Sequence, residues 1–453
     1  MKTCHFSNLS AMKRFFGLFI LVLLFSAPAY GQKQLIVSVL DSKSDLPIPG
    51  VTISLSQVKI VFIGKTDSVG MIQTPFSVNG KINLFANHPN YYSFERQFNM
   101  QDDTLKLVIR LRPENIQIIK EVVVKAPGAV DTVFSSSRLH VEDFEVLKNG
   151  NMVLLTYPKR LKSGSEVLLY DGQSILQSLS VPDQAERLEK DYRGNVHVIC
   201  KDRVITLLTE GNVLKIAQLD RPYFYRYIAP ILDTNGENLY YSDFNKNYPE
   251  FSYWKFDQED TLYEKFRTVR DDLMMELYRS EYKWVDVRTK LWAKNLEFET
   301  GIDAEIWVGA NYFTQSVYYK ELYAPFFKVN DELLVFDYYR NELFFHDTLG
   351  LALGSSDIHH HLDKKTTGWK SAILQDPVND NLYGWYEKSG TSYLGKIDTK
   401  TGEVIAKYQL NFKYLEKIEV NDDFVYYVYR PFESQQKKYV YRERLPDTFT
   451  ETH

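Results

Sequence analysis

The sequence predicts an all-β fold: a small antiparallel β-sandwich followed by a β-propeller, six blades being the preferred count and seven the alternative, with a helical insertion in the ring. Three observations predict it. Apolar and polar residues alternate in short runs separated by Gly-, Asn- and Asp-rich turns, the period-two pattern of half-buried strands. Aromatic residues are plentiful, 32 Tyr, 28 Phe and 6 Trp among 453 residues, enough to fill more than one core. Similar turns also return at spacings of about 45 residues through the C-terminal two thirds, a blade-sized period.

Residues 1–31 read as a secretory signal peptide. Lys13 and Arg14 precede the apolar run Phe15 to Phe25, and Ala29-Tyr30-Gly31 offers a small-x-small cleavage site. The run is shorter than the about 20 apolar residues a spanning helix needs, and no later run reaches that length, so no transmembrane segment is expected after cleavage. Met12 opens a more ordinary leader than Met1 does. Cleavage removes Lys2, Lys13 and Arg14 but no acid, leaving 51 basic against 59 acidic residues. A mildly anionic chain lacks the excess of Lys and Arg that a nucleic-acid partner demands. Cys4 is lost with the leader, and Cys200, in the apolar Val198-Ile199-Cys200, is expected to be a buried small hydrophobe. The expected location is the periplasm, with the outer membrane or cell surface as alternatives, because the polar tail 448–453 does not read as a sorting domain.

Residues 32–113 follow as the sandwich, about seven strands in all. Gln34 to Leu40 is the first strand, and Val51, Ile53 and Leu55 alternate after Pro49-Gly50. Lys65 to Gly70 makes a polar turn, Lys81 to Ala86 resumes the alternation, and Leu105 to Leu111 ends it before Pro113. At Pro49-Gly50-Val51, Thr66-Asp67-Ser68-Val69-Gly70 and His88-Pro89-Asn90-Tyr91 the chain resembles the carboxypeptidase-regulatory-like domain common in exported proteins of Bacteroidota. In the linker 114–131, Lys120 to Ala126 is similar to the connector that follows this domain in large TonB-dependent outer-membrane receptors. The 324 residues from Val130 to His453 are too few for a plug and a 22-stranded barrel, so the receptor likeness stops there. The resemblance implies a structural or docking module. Peptidase chemistry is not implied, since no histidine has a glutamate three positions later.

The propeller is expected over 132–447. Gly150, Gly194, Gly236, Asp331, Asp380 and Asp422 mark equivalent turns, separated by 44, 42, 95, 49 and 42 positions. Within a unit the order fits four antiparallel strands, as in Val196 to Cys200, Val204 to Leu208 and Val213 to Leu219. The long interval is assigned to a helical insertion near 271–295, where Leu273, Leu277, Trp284, Val287 and Leu291 recur at near-helical spacing. Thr132 to Leu139 is expected to close the ring beside Lys438 to Leu445, which removes two exposed edges. The order of leader, sandwich and propeller resembles Bacteroidota exported proteins with a six-bladed propeller.

No catalytic residue stands out: nucleophile-elbow, phosphate-loop and dinucleotide patterns are absent, and with 59 acids chance carboxylate pairs are certain. His359-His360-His361 reads as a loop between blades, since neighbours on an extended segment point apart, and no metal or cofactor is expected. Asp233-Thr234-Asn235-Gly236 lacks the full calcium-loop pattern and reads as a turn. The candidate ligand-binding residues are Arg221, Tyr223, Trp369 and Tyr414, placed where one blade crosses to the next. The functional expectation is an exported, non-enzymatic binding or scaffold protein whose propeller face recognises a protein or glycan at the cell envelope. The alternatives are a propeller-type carbohydrate hydrolase or lyase, and an accessory subunit or sensor of a TonB-dependent transport system. Oligomeric state is left open.

Overall fold

The computed structural model describes residues 33–57, 60–76, 80–100, 104–114, 130–162, 164–210, 213–430 and 437–446. The expected leader 1–31, the expected connector Lys120–Ala126 and the tail 448–453 lie outside these. No helix among the described residues is long and apolar enough to cross a membrane. Two compact units form: one from residues up to 57 with 63–86 and 94–113, the other from 58–62, 87–93 and everything from Glu114 onward.

Seven N-terminal strands make two sheets. In the first, Lys33–Asp41 lies between Met71–Phe76 and Thr104–Leu111; the second runs Ile60–Lys65, Thr52–Ser56, Gly80–Asn87, Phe94–Met100. One pairing departs from the antiparallel expectation. Lys33–Asp41 and Thr104–Leu111 run parallel, from Gln34 opposite Thr104 to Asp41 opposite Leu111. Strands so far apart in the chain are joined by a crossover through the other sheet, which permits parallel pairing as a hairpin does not. Val37, Val39, Ile53, Leu84 and Ile109 are buried between the sheets. The buried Thr66 hydroxyl donates to Ile48 O (2.8 Å) and accepts from Val51 N (2.9 Å), fixing the Pro49-Gly50 turn.

Among the described residues the larger unit holds six four-stranded antiparallel sheets in chain order, the blades of an all-β propeller. Blade 1 spans His140–Val181, blade 2 Ala185–Asp220, blade 3 Ile231–Arg270, blade 4 Phe326–Asp357 and blade 5 Trp369–Lys413. Blade 6 takes three strands from Ile418–Arg444 and its fourth from Asp131–Phe134, where Val440 pairs with Phe134 and Tyr441 with Thr132. The chain thus stitches its two ends into one sheet, as expected from the edge argument. Each of the six marker residues lies in the turn after the first strand of a different blade. Cores bridge consecutive blades: Leu155 and Val167 with Val198 and Leu207; Val141 and Leu154 with Val440; Leu394 with Tyr427; Phe336 with Ile397; Tyr253 with Val335.

The long interval holds helices. With α1 reserved for Arg221–Tyr227, they are α2 (Asp272–Glu281), α3 (Val287–Thr300) and α4 (Ala304–Tyr312), then a 3-10 turn at Phe313–Gln315. The insertion is therefore longer than 271–295. Asp271 caps α2 by accepting from Met274 N, and Asp286 caps α3 by accepting from Arg288 N and Thr289 N. Met274, Met275 and Tyr278 of α2 and Ala304 and Val308 of α4 are buried. Gly309 lets α4 approach α2: a Cβ there would sit 2.2 Å from Cδ1 of Tyr278. The apolar residues that made the insertion legible mostly face outward, with Leu273, Trp284, Val287 and Leu291 all 61–82% exposed.

Candidate functional site

Antiparallel blades put the crossings between blades and the hairpins after each second strand on one face of the ring. Their first strands converge on the axis, as their side-chain contacts show. Lys190 of blade 2 reaches Glu145 of blade 1 (2.9 Å) and Glu419 of blade 6 (2.8 Å). Lys417, just before the first strand of blade 6, reaches Asp143 (3.0 Å) and Glu145 (3.2 Å). Asp143 also accepts from Leu188 N (2.8 Å), and Glu419 from Val146 N (3.2 Å).

Three carboxylates here share two ammonium groups, so the five groups carry one excess acid. Burial drives the three acids toward their neutral forms, and the lysines oppose this unequally. Burial would raise Glu145, but Lys190 and Lys417 outweigh it and hold the group below its ordinary range. Burial and then repulsion from Glu145 push Glu419 up to about 7, despite Lys190. Asp143 is raised by burial in spite of Lys417. Burial would lower Lys190 and Lys417, yet their carboxylate partners raise both. Sequence reasoning missed this network because positions 143, 145, 190, 417 and 419 are scattered. The available signal is the spacing Asp143-x-Glu145, which puts that pair on one face of a first strand, and Lys417-x-Glu419, which repeats it at the entry to another.

A second feature lies at the crossings into blades 3 and 4. Phe224 of α1 is buried beside His197 (ring centroids 4.7 Å apart), which turns Tyr223 and Tyr227, four residues apart, outward. The segment leading into blade 4 is pinned at both sides: Tyr253 of blade 3 donates its hydroxyl to Ala324 O, and the segment's own Tyr323 accepts from Ile373 N of blade 5 (2.7 Å). Between α1, blade 3 and this segment is a cavity of about 430 Å³, within the size range of ligand pockets. Tyr225, Leu232, Phe244, Phe251, Tyr253 and Phe326 supply most of its side-chain wall.

The four sequence-designated residues all lie at crossings, yet none lines this cavity. Arg221 spends its guanidinium on the protein, donating to Cys200 O (2.8 Å) and Glu186 (3.0 Å), and so anchors α1 on blade 2. Tyr223 is exposed two residues from the cavity-lining Tyr225. Trp369 is buried in the core shared by blades 4 and 5, beside Tyr386 (5.2 Å) and His360 (5.3 Å), because the crossing folds its ring under rather than over the face. Tyr414 is exposed, with φ of 59°, and its N–H donates to Gly390 O.

The histidine run is only partly a surface loop. His359 contacts Glu403 (3.1 Å), His361 contacts Asn341 (3.0 Å), and the buried His360 lies between Gly402 O (2.9 Å) and the Tyr338 hydroxyl (3.2 Å). Among the described residues no cluster of three or more metal-ligating side chains forms.

No known family model matches the sequence, and no curated protein is similar to it. Among solved structures, the chain is similar to a luciferin-regenerating enzyme (9% identity, TM-score 0.34, 72% of this chain and 97% of that one). It is also similar to regucalcin, a calcium-binding protein from Agrobacterium tumefaciens (12%, 0.32, 72% and 98%). A third is BamB from Moraxella catarrhalis (9%, 0.30, 75% and 96%). Likenesses at this level bear on no activity, and the fold rests on the six sheets themselves.

Proposed function

We propose that the protein is an exported binding protein of the bacterial cell envelope, most simply periplasmic, whose propeller recognises a protein partner through the crossing face. The observation that carries the reading is the preformed cavity beside α1. Its wall is chiefly aromatic and aliphatic, and Tyr223 and Tyr227 stand exposed on α1, the helix that contributes Tyr225. A polyhydroxylated glycan needs many converging polar side chains, whereas one apolar side chain of a peptide fits such a wall, fixed by a few backbone groups. Burying one leucine- or phenylalanine-sized group contributes roughly 2 kcal/mol. The leader and the sandwich's resemblance to a docking module support the location and the scaffold role.

The test is selection of peptides from a random library on the purified chain, with Leu232→Arg as comparison. Leu232 is 37% exposed at the cavity wall, so its replacement spares the core. Selected peptides should share an aromatic or aliphatic residue, and should bind Leu232→Arg about 30-fold more weakly, the equivalent of the roughly 2 kcal/mol above. Peptide affinity unchanged by the substitution rejects the site. Glycan binding that Leu232→Arg abolishes would reassign the ligand.

The channel network favours a second reading, a hydrolase or lyase acting on carbohydrate, since it brings together three carboxylates of which one is shifted to about 7. Turnover of an envelope glycan, lost in Glu419→Gln, would move the assignment there.

A further inference from the structure

α3 buries one side and leaves the other bare. Thr289 and Ala293 are buried, Ala293 in a cluster with Ala304 and Val308 of α4. At 100° per residue, Val287, Leu291 and Phe298 fall within about 40° of one another on the opposite side. They are 72, 61 and 93% exposed, and Trp284, just ahead of the helix, is 82% exposed. An apolar stripe of this kind on a soluble surface ordinarily meets a partner.

The charges beside the stripe say which partner fits. Arg288 and Glu299 lie on the same flank, 11 positions and so about 16 Å apart along the axis. Neither forms an ion pair among the described residues. Lys290 and Glu297 lie on the other flank, with Lys294 already held by Glu297 (2.7 Å). Both flanks run from basic at the N-terminal half to acidic at the C-terminal half. A bilayer would call for a uniformly basic rim. The order here is self-complementary under a two-fold rotation.

We propose that α3 pairs antiparallel with α3 of a second copy of this chain, about a two-fold axis passing beside residues 293 and 294. That rotation sets Arg288 opposite Glu299 of the partner subunit and Lys290 opposite Glu297 of the partner subunit, and lays the two apolar stripes together. Same-flank pairing is the geometry of antiparallel helices. A helix of 14 residues is about 21 Å long, which puts the contact at the small end of specific interfaces and the expected dissociation constant in the micromolar range.

Sedimentation velocity on the chain from Gln32 to His453, across a micromolar concentration series at low and high salt, tests this. Dimer is expected, weakening as salt rises. Arg288→Glu alone and Glu299→Arg alone should each weaken it about 10-fold or more, because each turns two symmetry-related attractions into repulsions. The double variant carrying both reversals should restore it, and Leu291→Glu should abolish it while leaving the circular dichroism unchanged, Leu291 being outward-facing. A wild-type chain that stays monomeric throughout overturns the proposal, including one that binds anionic vesicles instead. So does a dimer that the double reversal fails to restore, since only contact of this flank with itself predicts the rescue.

Discussion

Replacing Glu419 by glutamine should flatten the pH dependence of the propeller's stability. The acid sits in the channel facing Glu145, Lys190 and Lys417, with Asp143 on the far side of Lys417. Its folded-state value is raised from an ordinary 4.5 to about 7. A raised carboxylate binds its proton more tightly when folded, so this stabilisation is complete below about pH 4.5 and is lost as pH rises through about 7. Between those limits the shift is worth about 3 kcal/mol at 1.36 kcal/mol per pKa unit. Glutamine keeps one oxygen, enough for Lys190 or for Val146 N but not for both, since they donate to different carboxylate oxygens, and it cannot titrate, so its loss is the same at every pH. Urea unfolding followed by tryptophan fluorescence isolates the relevant unit, because all six tryptophans, from Trp254 to Trp385, lie in the propeller chain. Wild type should lose stability from pH 5 to pH 8, and Glu419→Gln should lose about 3 kcal/mol less. Parallel curves for the two proteins would refute the assignment of the excess proton to Glu419. Lys190→Met supplies the opposite arm: it leaves three carboxylates with Lys417 alone and should cost about 3–5 kcal/mol, more at pH 8 than at pH 5.

Arg138 bridges the buried Glu166 through both terminal nitrogens (3.0 Å each) and Glu114 through Nε (2.6 Å), so Arg138→Ala should cost about 3–5 kcal/mol in the same unfolding assay. Arg138→Lys should recover only part, since an ammonium cannot fork two carboxylates. Gly309→Ala should force the Tyr278 ring from its place and loosen the insertion by about 1–3 kcal/mol, read as faster amide exchange in α2 and α4 with the blades unchanged. Cys200 is fully buried, and burial pushes its thiol up to about 12. In a chain from Gln32 on it should resist alkylation at pH 8 until urea is added; labelling of the native protein would mean that blade 2 opens locally.

The ring was legible because its turns are chemically constrained. The hairpin after each first strand needs left-handed backbone, and the chain supplies Gly150, Gly194 and Gly236 at φ of 81°, 83° and 59°, and Asn330, Asp380 and Asp422 at 53°, 59° and 52°. Those residues recur once per blade whatever the strands between them carry. Contacts across the ring leave no such trace. Lys190 and Glu419 are 229 positions apart, and nothing local distinguishes them from surface charges. The run Arg221 to Tyr227 illustrates a subtler loss: its place at a crossing was legible but its helix was not, although Pro222 in the first turn is a placement that the missing Pro N–H permits. Trp369, designated at a crossing, is buried for a related reason. A crossing fixes where the backbone passes, but not whether a ring folds into the core below it.

Six similar blades give a ring no preferred side for recognition, so any bias must come from where the repeat is broken. It is broken at three consecutive crossings: the one into blade 3, which forms α1, the one into blade 4, which carries α2, α3 and α4, and the one into blade 5, which carries the helical turn Lys364–Thr367. The remaining connections between blades, 135–139, 182–184 and 414–417, are short. Lengthening a loop costs little, growing only with the logarithm of its length, so an insertion at a crossing leaves the closure between Asp131–Phe134 and Tyr439–Arg444 intact. The cavity and the bare stripe of α3 both belong to the first two of these crossings. The channel network joins blades 1, 2 and 6, whose first strands meet directly, and five mutually bonded charges there leave few free polar atoms to offer a ligand. That division assigns cohesion to the regular blades and recognition to the irregular ones. It follows that deleting a charge from the network should change stability without changing peptide affinity, whereas Leu232→Arg should do the reverse.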